Sequence, residues 1–246
     1  MSALMGVSRL FAVIGCTLYA RGPERRLQRL REAACAPISS AMAYTVLDAA
    51  ASRFPDYRTP EHNVLERACL QAELRAALTG LAQWPPQRWA EHPDYANGLA
   101  RHWQEIHRAM VHNLGIVERT LRTLAEDGLS DADRVRLAGE IAPIARHAVD
   151  HLHGHHRLED QSMFPQLLRA APSLARPLNL LEADHIVLNA VLGPLERALA
   201  NLPTADAPAS AWDEIAKAGE RVARVARRHI EDEEEIVIPA VLGVAR

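Results

Sequence analysis

The sequence predicts an all-α chain, and three observations carry that expectation. Alanine, leucine and arginine dominate, whereas aromatic residues make up 4% of 246 and glycine is sparse at 12, a composition of helix formers. From about residue 96 onward, apolar residues recur at helical spacing over long stretches. The breaks between those stretches are short, which makes neighbouring helices antiparallel. The expected architecture is an up-down-up-down four-helix bundle over residues 96–246, preceded by a helical N-terminal extension, residues 1–95, of unknown role.

Composition also narrows the function. A chain of this length can bury a sizeable core. The formal net charge of −3 gives no support for nucleic-acid binding, which shows a clear basic excess. No apolar run reaches the roughly 18–20 residues a membrane-spanning helix needs, so no membrane association is expected. Cys16, Cys35 and Cys69 form no CxxC pair and no closed disulfide framework, which points to a reducing, cytoplasmic setting. The apolar stretch 10–20 with Val13-Ile14-Gly15-Cys16 is a weak match to a lipoprotein cleavage box, and an ordinary helix is the expectation there.

The elements follow from local signals. Residues 1–95 are broken at Pro23, Pro37, Pro55, Pro60 and Pro85-Pro86. Their best helix has Thr59 as N-cap and Pro60 in the first turn, and stops near Gly80 with a modest stripe of Leu65, Ala68, Cys69, Ala72 and Leu81. This region holds only His62 and His92 among the histidines, and no chemistry is legible in it. The first bundle helix spans about 96–126 and ends at Asp127-Gly128. Ser130 with Asp133 caps the second, which continues past Pro143 to about 163, before Pro165. A third covers about 177–202 with a kink at Pro194; the fourth opens at Ser210 with Asp213 and is expected to end before Pro239.

Histidine is the unusual entry, at 12 residues. Which of them matter is answered by an internal repeat. Laid over each other, the first and third helices match His107 with His185, Met110 with Leu188, Leu114-Gly115 with Leu192-Gly193, and Val117-Glu118-Arg119 with Leu195-Glu196-Arg197. The second and fourth match His155 with His229, Glu159-Asp160 with Glu233-Glu234, and Phe164-Pro165 with Ile238-Pro239. A duplicated helix hairpin can assemble about an approximate two-fold axis, which sets the repeated residues facing each other across the core.

Helical phase then selects side chains. His107 shares a stripe with Met110, Val111, Leu114, Val117 and Leu121, and His185 shares one with Leu188, Leu192 and Leu199. His155 with Glu159, and His229 with Glu233, are i,i+4 pairs on one face each. His112 lies about 140° round the helix from His107 and faces away. Buried histidines and carboxylates are costly unless a cation holds them. Imidazole with carboxylate suits iron or manganese. His107, His155, His185 and His229 with Glu159 and Glu233 suit two six-coordinate ions, each with two histidines, bridged by both glutamates. Positions remain for an oxo or hydroxo bridge and for an exogenous ligand, so two iron ions are the expected cofactor. The cluster His147, His151, His153, His156 otherwise reads as a solvated polar face or an adventitious metal chelator, and the run Glu231-Asp232-Glu233-Glu234-Glu235 as an acidic face.

Single features here are weak. A lone histidine on a stripe is ordinarily a satisfied core or surface residue, and one His-x-x-x-Glu pair an ordinary helical contact; the joint, duplicated pattern carries the expectation. Residues 98–242 resemble the hemerythrin-like, or HHE cation-binding, family through His107, then His155-His156-Arg157-Leu158-Glu159-Asp160 leading to Phe164-Pro165, then Glu182-Ala183-Asp184-His185, and His229 to Glu233 before Pro239. The resemblance implies a four-helix bundle of hemerythrin type, with one iron on His107 and His155, the other on His185 and His229, and Glu159 and Glu233 bridging. Oxygen-carrying members have a His-x-x-x-His pair in the third helix, where this chain has Asn189 four after His185. Their last helix offers an aspartate five residues after histidine, where this chain has Glu233 four after His229. These departures imply a more symmetric, more open pair of irons. They bring the site closer to family members that respond to iron, nitric oxide, oxygen or peroxide. A protein partner for residues 1–95 is compatible with this. Two other classes compete: a ferritin-like di-iron oxidase or peroxidase, for which only Glu182–His185 supplies a Glu-x-x-His motif, and a metal-free helical interaction module.

Overall fold

A computed structural model of the chain describes residues 86–96 and 98–244, together with Glu61, Val64, Leu65 and Arg67. The expected helix from Thr59 to Gly80 falls, apart from those four residues, outside the described residues, as do the three cysteines. The described residues form helices joined by short turns, with no strand among them, and include five α-helices: α1 (Leu99–Ala125), α2 (Asp131–Leu158), α3 (Phe164–Ala170), α4 (Ala175–Ala200) and α5 (Ala209–Val244). None of their helices is long and apolar enough to cross a membrane.

Local chemistry sets the joints. Gly98 precedes α1 where a Cβ would lie 2.0 Å from the Asp94 carbonyl oxygen, so only glycine fits. After α1 the chain turns at Gly128, whose φ of 109° a side chain would strain. Ser130 then caps α2, its hydroxyl accepting from the Asp133 N–H at 3.1 Å. At the far end of α2 the winding widens into a five-residue turn, Glu159–Met163, closed by the Phe164 N–H on the Glu159 carbonyl.

The prolines act differently from the sequence expectation at one end. Pro143 and Pro194 lie inside α2 and α4, as expected. Pro239, expected to lie beyond the last helix, sits inside α5, which continues to Val244. Proline in a helix interior costs about 3 kcal/mol. Here Ile236, Val237, Ile238, Ala240 and Leu242 are all buried around it, and burial of each of the four larger side chains contributes about 1.5–3 kcal/mol.

In the bundle α1 packs on α2 and α5, and α4 packs on the same two. Its interior falls into two apolar blocks. One contains Met110, Leu114, Leu152, Leu188, Leu192, Trp212 and Ile230; the other contains Trp103, Met163, Phe164, Leu181, Ile236 and Val237. Along α1 and α4 the second block comes first in the chain, and along α2 and α5 the first block does. Between the blocks, in the first half of α1 and α4 and the second half of α2 and α5, lies a band of buried polar residues.

Candidate metal centre

Each long helix contributes to that band from its core-facing stripe. On α1, Trp103, His107 and Met110 are buried at spacings of four and three, so His107 takes a position a leucine would otherwise hold. On α2, His155 and His156 are both buried, and Glu159 at the start of the widened turn is fully buried. α4 brings Asp184 and His185, and α5 brings His229, Asp232 and Glu233.

The donors converge in two sets. His107, His155, Glu159 and Glu233 form one; His156, Glu159, His185 and His229 form the other; within each set one donor atom per residue lies within 4.8 Å of all the others. Glu159 belongs to both. The Nε2 atoms of His107 and His155 face each other at 2.9 Å. Glu159 places Oε1 3.1 Å from His155 Nε2 and Oε2 3.3 Å from His185 Nε2. Glu233 Oε2 lies 3.3 Å from His107 Nε2 and 3.8 Å from the Nε2 atoms of both His155 and His229. Its other oxygen accepts from the Trp103 indole N–H at 2.5 Å.

Among the described residues, these atoms are conspicuously unsatisfied. Both oxygens of Glu159, Oε2 of Glu233, Nε2 of His185 and of His229, and both ring nitrogens of His156 are buried without a hydrogen-bond partner. Buried polar atoms are paired in more than nine cases in ten, and one orphan costs about 1–3 kcal/mol. Orphaned atoms occur in both sets, most of them in the one with three histidines, and bound cations would satisfy them. Imidazole and carboxylate are the donor types iron accepts, and five histidines with two glutamates exceed what one tetrahedral ion takes.

The outward-facing nitrogens are held by carboxylates. His107 Nδ1 lies 3.1 Å from Glu234, His185 Nδ1 2.7 Å from Asp160, and His229 Nδ1 3.2 Å from Asp184. A proton on Nδ1, donated to the carboxylate, leaves the Nε2 lone pair facing inward, the arrangement in which histidine ligates metal. Asp160 and Glu234 directly follow the two buried glutamates and reach across: the acid from one hairpin holds the histidine of the other.

Charge follows from the same contacts. Burial opposes the imidazolium of His107, but Glu233 and Glu234 outweigh it and push the group up to about 10. Burial likewise opposes His185, and Asp160 and Glu159 bring it to about 10. Burial holds His156 well below its ordinary value, reinforced by His185, His229 and His155. His156 is therefore neutral, the form that ligates. Glu233, despite burial, is kept well below the carboxylate range by His107 and His155.

All six residues expected from the sequence, His107, His155, Glu159, His185, His229 and Glu233, lie in this band. Several expectations need correction. His156 does not lie on a solvated face: it is buried and joins the set on the His185 side. The two sets are thus unequal, with two histidines in one and three in the other. Asn189 is exposed, so a histidine there would not reach the band; the buried position one turn on the other side of His185 is Leu181. The acidic run of α5 is no uniform solvated face either, since Asp232 and Glu233 are buried while Glu231 is exposed. Glu182, the residue on which a ferritin-like motif rested, is exposed and outside both sets. His112 is exposed, as expected, and His147, His151 and His153 stay toward the surface.

One residue sequence reasoning missed altogether. Arg67, from the region where no chemistry was legible, is buried and bonded to Asp184 and Asp232. The available signal was a single arginine between Leu65 and the apolar Ala68-Cys69.

A family model, the hemerythrin HHE cation-binding domain, matches residues 98–241, more than half of the chain. No curated protein and no solved structure matches it.

Proposed function

This chain belongs to the hemerythrin HHE cation-binding domain family, and we propose that its seven buried donors hold two iron ions and serve to bind or sense dioxygen, nitric oxide or peroxide, in iron homeostasis or a stress response. The observation that carries the reading is the convergence of unpartnered buried nitrogens and oxygens on two positions that share Glu159. Two irons, when bound, supply redox chemistry and open coordination positions toward such small ligands. His107 and His155 would hold one ion, and His156, His185 and His229 the other; Glu159, both of whose oxygens lack a hydrogen-bond partner, belongs to both sets. Glu233 adds its single free oxygen, the other being held by Trp103.

The unequal histidine count bears on where a ligand enters. The two-histidine side has one imidazole fewer, Glu233 taking that place among its four donors, and is the side we assign to the exogenous ligand. Trp103 and Met110, both buried, flank His107 on α1 and keep bulk water from that position. The alternating order of the two apolar blocks along successive long helices supports the up-down-up-down arrangement of hemerythrin type.

Metal analysis of purified protein, with an optical spectrum before and after reduction and exposure to air, tests the reading. About two irons per chain and a visible band that responds to air and to nitric oxide are expected. A protein that takes up no iron under reducing conditions overturns it.

A further inference from the structure

The three carboxylates that hold Nδ1 atoms are not alike. The side chains of Glu234 and Asp160 are 23% and 34% exposed, within reach of solvent, and Glu234 also accepts from the Gln104 side-chain amide at 3.1 Å. Asp184 is sealed, with its side chain 5% exposed. A buried carboxylate needs a cation, because an unpaired buried charge costs several kcal/mol. That cation is Arg67, which lies outside the residues the family domain covers.

The contact is specific. The Arg67 guanidinium donates from Nη1 to Asp184 Oδ1 at 2.8 Å and from Nη2 to Asp184 Oδ2, the oxygen that also faces His229 Nδ1. Its Nε donates to Asp232 Oδ2 at 2.7 Å. Asp232 is itself held by Arg228 at 2.7 Å, and Arg228 donates to the Arg67 carbonyl at 3.0 Å. The planar guanidinium thus bridges α4 to α5 through two buried carboxylates, a task its fixed fork suits and a lysine ammonium does not. Val64 sits fully buried in the first apolar block, and Glu61 pairs with Arg221 and Arg224, so the chain just ahead of Arg67 is anchored on the bundle as well.

From this we propose that Arg67 is a positioning residue of the metal centre: it fixes Asp184 so that His229 presents Nε2 inward, and thereby couples the N-terminal segment to metal binding. The inference rests on His229 acting as a ligand. Coupling of this kind is reciprocal: docking of Arg67 strengthens metal binding, and metal binding strengthens the docking of Arg67.

The test uses the full chain loaded with Co(II), whose absorption bands report ligand geometry, and compares wild type, Arg67→Gln, Arg67→Lys, Asp184→Asn and the Arg67→Gln/Asp184→Asn double variant. Removing a partner that orients a ligand costs about 10- to 100-fold in metal affinity. Arg67→Gln is expected to weaken binding, measured by chelator competition, by about ten-fold and to shift the Co(II) bands. Asp184→Asn should do the same, and the double variant should be no worse than Asp184→Asn alone, because both act through one carboxylate. Arg67→Lys keeps a buried cation and the fold; it is expected to fall between wild type and Arg67→Gln in affinity, still with shifted bands. Unchanged affinity and spectrum in Arg67→Gln, or in Arg67→Lys if the glutamine variant does not fold, overturns the proposal while leaving the two-ion reading standing. A wild-type chain that binds no Co(II) overturns both.

Discussion

His156 stacks on His185 with ring centroids 4.3 Å apart and planes 14° from parallel. The two residues come from different helices, α2 and α4, and belong to one donor set. The third histidine of that set is therefore the neighbour of His155 on α2 and not a second histidine on α4. His156→Leu fills the same space without a nitrogen. It is expected to lower metal content from about two ions per chain toward one, with the surviving ion on the His107 side. Metal analysis with a circular dichroism spectrum as a fold control checks this; full occupancy in the variant would remove His156 from the ligand set.

Glu159 is the donor common to both sets, whereas Glu233 has one oxygen committed to Trp103. Glu159→Ala should abolish stoichiometric loading of both ions. Glu233→Gln should weaken chiefly the two-histidine side. Equal effects of the two substitutions would show that the glutamates are interchangeable and that the sharing seen here has no energetic meaning.

Trp103 gives Glu233 its only hydrogen bond from an indole and lies with its ring 4.9 Å from that of His155. Trp103→Phe keeps the apolar bulk and removes the donor. Affinity at the two-histidine side is expected to fall by about ten-fold, with stability lowered by about 1–3 kcal/mol because an acceptor is left buried without its donor. Chelator competition and urea unfolding separate the two effects.

His107 and His185 are both pushed up to about 10 in the metal-free protein, against about 6.5 in an unfolded chain. A folded value raised above the unfolded one contributes stability that is complete below about pH 6.5 and is lost as pH rises toward 10. The metal-free protein should therefore melt at progressively lower temperature from pH 7 to pH 10. Ligation needs those nitrogens free of protons, so the loaded protein should lose much less over the same interval, and loading at pH 7 should release protons. Melting curves with and without a chelator at several pH values decide it; parallel slopes would contradict the assignment of these histidines as ligands.

Much of this was legible because helical phase is a local property. His107 falls on the stripe of Met110 and Leu114, and His155 with Glu159 repeats as His229 with Glu233, so the four matched histidines and both glutamates were selected without tertiary information. His156 was not. It lies about 100° round α2 from His155, and whether that direction meets solvent or another helix depends on how α4 packs. Pro239 misled for a similar reason, since the apolar residues around it repay a break that local rules predict. Arg67 was beyond reach, because its partners Asp184 and Asp232 lie 117 and 165 positions away in the chain, and nothing periodic joins them.

The polar band between the two apolar blocks has a mechanical consequence. Seven donors sit where a bundle ordinarily has its tightest interlocking of leucines, so without metal the molecule has a soft girdle between two firm ends. Hydrogen exchange of the metal-free protein is expected to be faster at backbone amides near His107, His155, His185 and His229 than around Leu121 at one end and Leu242 at the other. Bound ions act as rivets through the girdle. Occupancy thereby decides whether the two ends of the bundle move as separate bodies or as one.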